Sequence, residues 1–339
     1  MDSNKFSWPI KMGFVRLTGM KTNVAVSFVL CSLIIAAGSA AERKTPLDEL
    51  AGRVYHVSGR GALGFAAVSA GLCVLDLSQA PEPRTLSVLP LPQSGTFALP
   101  AAGTVWVTQG PAGLYAIGVA DPRRPVVVSH ADTPGSAMMA ALSGSLIAVA
   151  DGSMGVSFFD IHEPRTPVAR ATLPLDGYCR GVAFFSSLLY ACAGSAGLAA
   201  IDVSRPENPT VTAACRTAGD ARDVAFDGKM AVVADGPYGL SIVDVSEPRA
   251  PRLVATRGVA DFAHGVAASG GVVYAAEGID GVGVYRVSAD SLEFVSRAGT
   301  GGGYANKVTV LGKRLLVAND VKGVVVFDLE DPAHPVRAR

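Results

Sequence analysis

Charge is scarce in this sequence. Only 17% of the 339 residues are Asp, Glu, Lys or Arg, and the two signs balance at 29 each, so neither a nucleic-acid surface nor a polybasic membrane face is indicated. Hydrophobic residues make up 49%, which together with the low charge excludes intrinsic disorder. Five cysteines in this length do not make a disulfide scaffold. No stretch after residue 45 sustains a helical period beyond a turn or two, which removes helical folds. Catalytic signatures are missing as well: there is no G-x-S-x-G elbow, no H-E-x-x-H, no Walker loop and no G-x-G-x-x-G between a strand and a helix. Gly301-Gly302-Gly303 reads as a loose turn rather than a phosphate cradle.

The N-terminus reads as an address. Asn23 to Ala37 is apolar and uncharged, with Lys11, Arg16 and Lys21 before it and the small residues Gly38, Ser39, Ala40 and Ala41 after it. That is the pattern of a secretory signal, predicted to span residues 1–41 and to be cleaved after Ala40 or Ala41; the run is short for a membrane span of about 20 residues. Met20 followed by Lys21 would start a signal of ordinary length, so translation from Met1 or from Met20 both fit. Cleavage after Ala40 removes Lys5, Lys11, Arg16, Lys21 and Asp2 and leaves 25 basic against 28 acidic residues. An uncleaved segment would instead anchor the chain to the membrane.

Glycine and proline are what the sequence has in quantity, and they are periodic. The glycine that opens GLSIVDVSEP recurs at Gly71, Gly113, Gly155, Gly197, Gly239, Gly281 and Gly323, always 42 residues apart. An apolar run follows each, usually ending in aspartate (Asp76, Asp160, Asp202, Asp244, Asp328), then prolines. Seven such units need 294 residues, and 294 residues counted back from Arg339 reach Pro46. Each unit holds four short β-prone runs, as in RDVAFDG, KMAVVADG, GLSIVDVSEP and PRLVATRG, with Asp227-Gly228 read as the two central residues of a hairpin. Several runs are apolar without alternation, as strands buried on both faces are. The sequence therefore predicts an all-β fold, a seven-bladed β-propeller of four-stranded blades over residues 46–339.

LSIVDVSEP (Leu240 to Pro248), LAAIDVSRP (Leu198 to Pro206) and VVVFDLEDP (Val324 to Pro332) resemble the LVIVD repeat, a β-propeller repeat found mainly in secreted or surface proteins of bacteria and archaea. The resemblance covers about residues 46–339. It implies the propeller and no particular activity, since one fold hosts many functions.

A residue type shared by most units serves the unit, whereas a polar residue that changes from blade to blade is a candidate for a ligand. The Asp76 column falls in the first class, an acceptor for backbone N–H groups in the turn. Two columns fall in the second. The innermost strands begin with Val54, Thr96, Met138, Arg180, Arg222, His264 and Asn306; the turns between second and third strands carry Ala67, Gln109, Asp151, Ala193, Asp235, Glu277 and Asn319. Both are expected on one rim of the channel, making an arc of Asp151, Arg180, Arg222, Asp235, His264, Glu277, Asn306 and Asn319, walled by Tyr178, Phe262 and Tyr304. Under the plain alternative, Arg222–Asp235 and His264–Glu277 are cross-strand ion pairs. His264 with Asp, Glu and Asn could also hold a hard cation, but no His-rich ligand set is present.

Cys179 and Cys192 are placed opposite one another by the same hairpin register, which would suit a disulfide in an exported protein. No cofactor is called for: a single tryptophan, Trp106, follows the signal, too few for a quinone-cofactor propeller. The expectation is a secreted, periplasmic or cell-surface interaction module for a protein, glycan or small ligand, with no nucleic-acid partner and membrane contact only if the signal stays attached. A hydrolase or lyase using His264 with Glu277 or Asp235 is the alternative, and a structural spacer the third reading.

Overall fold

The structure is a computed structural model and describes residues 52–78, 83–288 and 290–338. The predicted signal, residues 1–41, lies outside them. Among the described residues there are seven four-stranded antiparallel sheets and no helix, arranged as a β-propeller. Every blade consists of four consecutive strands; blade five is Asp223–Asp227, Met230–Ala234, Leu240–Asp244 and Arg252–Arg257, counted from the inside outward.

The unalternating apolar runs find their reason in blade-to-blade packing. Successive residues of a strand point to opposite faces. In the second strand of blade three (Leu146–Ala150), Ile147 and Val149 join Trp106 and Leu114 of blade two, while Ala148 and Ala150 join Leu189 and Ala191 of blade four. With both faces covered, the second and third strands are buried almost throughout, while the outermost strands meet water and the innermost strands are partly exposed toward the channel. In blades one to six the third and fourth strands part by a bulge, as between Phe158 and Phe159, which turns the outer strand away from its neighbour.

The repeated aspartates do what their column predicts. Asp76, Asp160, Asp202 and Asp244 each accept the N–H two residues on, at 2.8, 2.9, 2.9 and 2.9 Å. The proline turns that follow are caught by the preceding blade: Ser87 Oγ donates to the Pro122 carbonyl (2.7 Å) and Ser129 Oγ to that of Pro164 (2.6 Å).

The ring closes by lateral packing, because the first and last blades share no strand. The Val54 N–H donates to the Asp320 carbonyl (3.1 Å), Asn306 Nδ2 to the Val54 carbonyl (3.0 Å) and Thr309 Oγ1 to that of Val57 (2.7 Å). Arg314 adds a bond to the Leu77 carbonyl.

Two register expectations are corrected. Asp227 pairs with Met230, so the central turn residues are Gly228 and Lys229, not Asp227 and Gly228; Gly228 has φ 57° and needs the left-handed region glycine allows. The same shift in blade four sets Gly181, not Cys179, opposite Cys192, and both cysteines are free thiols.

Candidate ligand-binding site at the channel mouth

Except in blade two, the innermost strand of a blade enters the ring through one bridge to the blade before it. Gly152 bridges Cys179, Gly194 bridges Ala221, Gly236 bridges Ala263 and Gly278 bridges Ala305. Those bridged residues are buried, so the next side chain along each strand, at Arg180, Arg222, His264 and Asn306, turns toward the channel. In blade one a bulge between Val54 and His56 slides this pattern by one residue. Val54 becomes the bridged, fully buried position, and Tyr55 takes the mouth in its place.

Tyr55, Thr96, Met138, Arg180, Arg222, His264 and Asn306 thus ring a cavity of about 450 Å³ that opens at the face of the disc. Phe97, Met139 and Lys307 form its floor and are shared with a deeper chamber of about 340 Å³. At the floor Lys307 Nζ meets the buried Asp223 carboxylate at 2.7 Å. The pair reaches from blade seven to blade five past Gly265, where a Cβ would lie 2.6 Å from the Lys307 side chain. Asp223 also accepts the N–H groups of Val224 (3.0 Å) and Val266 (3.1 Å).

Around the mouth the polar residues stack with aromatic rings. The Arg180 guanidinium lies 4.6 Å over Tyr178, and Arg222 lies 4.6 Å over Phe262, which stacks on His264 at 4.4 Å. Asp220 stands between the two arginines, 3.5 Å from Arg180 Nε and 2.9 Å from an Arg222 terminal nitrogen. His264 Nε2 and the Tyr304 hydroxyl share a hydrogen bond of 2.6 Å. Burial, with Arg222 and Lys307 nearby, pushes the His264 imidazole down to about 4, so it is neutral at neutral pH. The three rings sit against left-handed glycines of the preceding blades. A Cβ at Gly152, Gly236 or Gly278 would come within 2.9 to 3.1 Å of Tyr178, Phe262 or Tyr304.

The other predicted column goes elsewhere. Asp151, Asp235, Glu277 and Asn319 are fully buried, and none lines the cavity. Each ties down the connection that leads into its own blade or the strands beside it. Asp235 accepts from Thr217 Oγ1 (2.7 Å), the Gly219 N–H (2.8 Å) and Ser241 Oγ (2.7 Å). Asp151 accepts from the Gly135 N–H (3.1 Å) and Ser157 Oγ (2.9 Å), and Asn319 Nδ2 donates to the Gly302 carbonyl (2.7 Å). Glu277 accepts from the Tyr285 hydroxyl and pairs with Arg297 at 2.8 Å. The expected Arg222–Asp235 and His264–Glu277 pairs are therefore replaced by Arg222–Asp220 and Arg297–Glu277.

Sequence reasoning missed the site residues Tyr55, Phe97, Met139, Asp220 and Lys307. Asp220 occupies in its unit the place of Tyr178, Phe262 and Tyr304, and that alignment was the available signal. Burial pushes the Cys179 thiol up to about 12 and that of Cys192 well above its ordinary value, so neither is an accessible nucleophile. Among the described residues, no three His, Cys, Asp or Glu side chains gather as a metal site requires.

The LVIVD repeat family matches residues 218–256 and 302–338. These two segments are LVIVD repeats. They supply Arg222 and its partner Asp220 in blade five, and Asn306, Lys307 and Tyr304 in blade seven, so both matched LVIVD units contribute to the mouth. No curated protein matches the chain in sequence. Similar solved structures include a putative 6-phosphogluconolactonase from Bacteroides uniformis (17% identity, TM-score 0.68, covering 80% of this chain and 92% of that one). The β-propeller domain of Cps50 (Swd1) from Myceliophteria thermophila is another (14%, 0.66, 82% and 96%). BamB from Moraxella catarrhalis is a third (16%, 0.56, 82% and 84%). At these identities the likeness is one of fold.

Proposed function

We propose that the protein is an exported binding module whose channel mouth is its recognition site. One observation carries this reading. Asp151, Asp235, Glu277 and Asn319 of the turn column are fully buried, whereas Thr96, Arg180, Arg222, His264 and Asn306 of the mouth column line an open cavity even where they also bond within the protein. That cavity, about 450 Å³, is of the size ligand pockets have. Propellers as different as a putative 6-phosphogluconolactonase and BamB share the fold, so the fold selects no chemistry and the mouth must be read by itself. The enzymatic alternative is less favoured, because Glu277 and Asp235 are engaged between strands and blades while His264 bonds Tyr304.

The test is a thermal-shift screen of a small-molecule library against the wild type and the double variant Arg222→Ala/His264→Ala. Compounds that raise the melting temperature of the wild type are expected to lose that effect in the variant. The variant itself is expected to cost no more than about 1 kcal/mol per partly exposed pair broken. Equal shifts in both proteins would move the interaction to the outer strands, where Val126 and Val168 are exposed.

Export rests on the sequence of residues 1–41. N-terminal sequencing of the cell-produced protein is expected to begin near Glu42; a chain still starting at Met1 or Met20 and pelleting with membranes contradicts cleavage.

A further inference from the structure

Resting on the reading of the mouth as a binding site, a ligand class follows from its charge and its unmet hydrogen-bond donors. Arginine is built to hold planar anions through two parallel N–H bonds. Neither the Arg180 nor the Arg222 guanidinium donates a hydrogen bond of good geometry to any described residue, although both are ion-paired to Asp220. Their Nε atoms are buried and make no hydrogen bond of good geometry, so the terminal nitrogens are the ones left to meet a ligand in the cavity.

Lys307 is matched by Asp223 at 2.7 Å, and a single carboxylate, Asp220, serves both arginines; Asp261 stands near His264 and Tyr304, outside the cavity lining. Among the described residues, no Asp or Glu lines the cavity to oppose an incoming anion. Besides the arginines it is lined by the polar Ser94, Thr96, His264, Asn306 and Lys307 and by an apolar group of Phe97, Met138 and Met139, with Tyr55 at the edge. Met138 is held in place, its sulfur accepting from Ser136 Oγ (3.7 Å) and the Tyr178 hydroxyl (3.9 Å). Inorganic phosphate has no body to cover Phe97, Met138 and Met139. A neutral sugar would leave the guanidinium groups without their anion.

We infer that the mouth cavity binds a small organic monocarboxylate, its carboxylate held by Arg180 and Arg222 and its apolar body laid on Phe97, Met138 and Met139. Asp220 is a positioning residue in this arrangement: it holds both guanidinium groups on one side so that their free edges face the cavity.

Isothermal titration of the purified protein with 2-naphthoate tests this, with 2-naphthalenemethanol as the uncharged comparison and inorganic phosphate as the anion without a body. Naphthoate is expected to bind roughly tenfold or more tightly than either. The double variant Arg180→Gln/Arg222→Gln is expected to lose that preference. A second variant, Met138→Glu, keeps both arginines and sets a competing carboxylate beside them; it is expected to bind naphthoate no better than the alcohol. The inference is overturned if naphthoate does not bind, if it binds no better than the alcohol, or if neither variant changes its affinity. Should the library screen still yield compounds that need Arg222 and His264, the mouth remains a binding site and only the carboxylate assignment falls. If no compound needs them, both readings fall.

Discussion

Replacing Asp235 with alanine is expected to destabilise the protein by about 3 kcal/mol and to lower its melting temperature by roughly 5 to 10 °C. The carboxylate is fully buried and accepts three hydrogen bonds, from Thr217, Gly219 and Ser241. Two of those donors belong to the connection that carries the chain from blade five's neighbour to its innermost strand, and the third lies in its third strand. Removing the acceptor leaves all three donors unmet at once, and the loss of a buried partner costs more than the bond was worth. Asp151 holds only Gly135 and Ser157, and its second oxygen has no partner, so Asp151→Ala is expected to cost less. Thermal melts of the two variants check the order; an Asp235→Ala protein that melts with the wild type contradicts the role assigned to this column.

A loss of similar or greater size is expected from Lys307→Met, about 3 to 5 kcal/mol, because it strands a charge in the channel floor. The Asp223 side chain is only 5% exposed, and among the described residues Lys307 is the cation paired with it. The effect should be a property of the pair rather than of the lysine. Adding Asp223→Asn to Lys307→Met removes the unmatched charge while keeping a side-chain oxygen for the Val224 and Val266 N–H groups, and is expected to recover most of the stability. Denaturant melts of the two single variants and the double variant measure this; a double variant no more stable than Lys307→Met alone contradicts it.

The architecture was legible because the glycine interval repeats without insertion. An unbroken spacing from Gly71 to Gly323 counts the blades, and unalternating apolar runs mark strands covered on both faces. What failed was finer than the repeat. Asp227-Gly228 is consistent with two turn placements one residue apart, and only the backbone shows that Gly228 leads the turn. That slide of one residue parted Cys179 from Cys192. The bulge at Val54 was hidden for a related reason: the glycines keep their spacing across blade one, so nothing in the sequence signals that Tyr55 has moved into the mouth.

The buried turn column teaches something different. Gln109, Asp151, Asp235, Glu277 and Asn319 differ in name, which made them resemble a ligand set. They are alike in carrying a side-chain oxygen or amide that can bond to the backbone just before their own blade begins. Asp235 and Asp151 accept from that connection, and Gln109 and Asn319 donate to it through Gln93 and Gly302. Each is followed by glycine or, at Asn319, by Asp320 with φ 49°, so the same left-handed turn recurs behind a changing residue. Chemical likeness, rather than identity, was the mark of a residue that serves the unit. Arg180, Arg222, His264 and Asn306 share no such likeness.

The central claim is that two neighbouring columns divide the work, one holding the ring together and the other facing a ligand. The most direct measurement sets wild type, Asp235→Ala and Arg222→Ala/His264→Ala side by side in one thermal-shift experiment, each with and without the compounds that stabilise the wild type. The account predicts that Asp235→Ala melts early yet is still stabilised by those compounds, whereas Arg222→Ala/His264→Ala melts close to the wild type and is not. A mouth variant that is stabilised as fully as the wild type, or one that melts as early as Asp235→Ala, would contradict it.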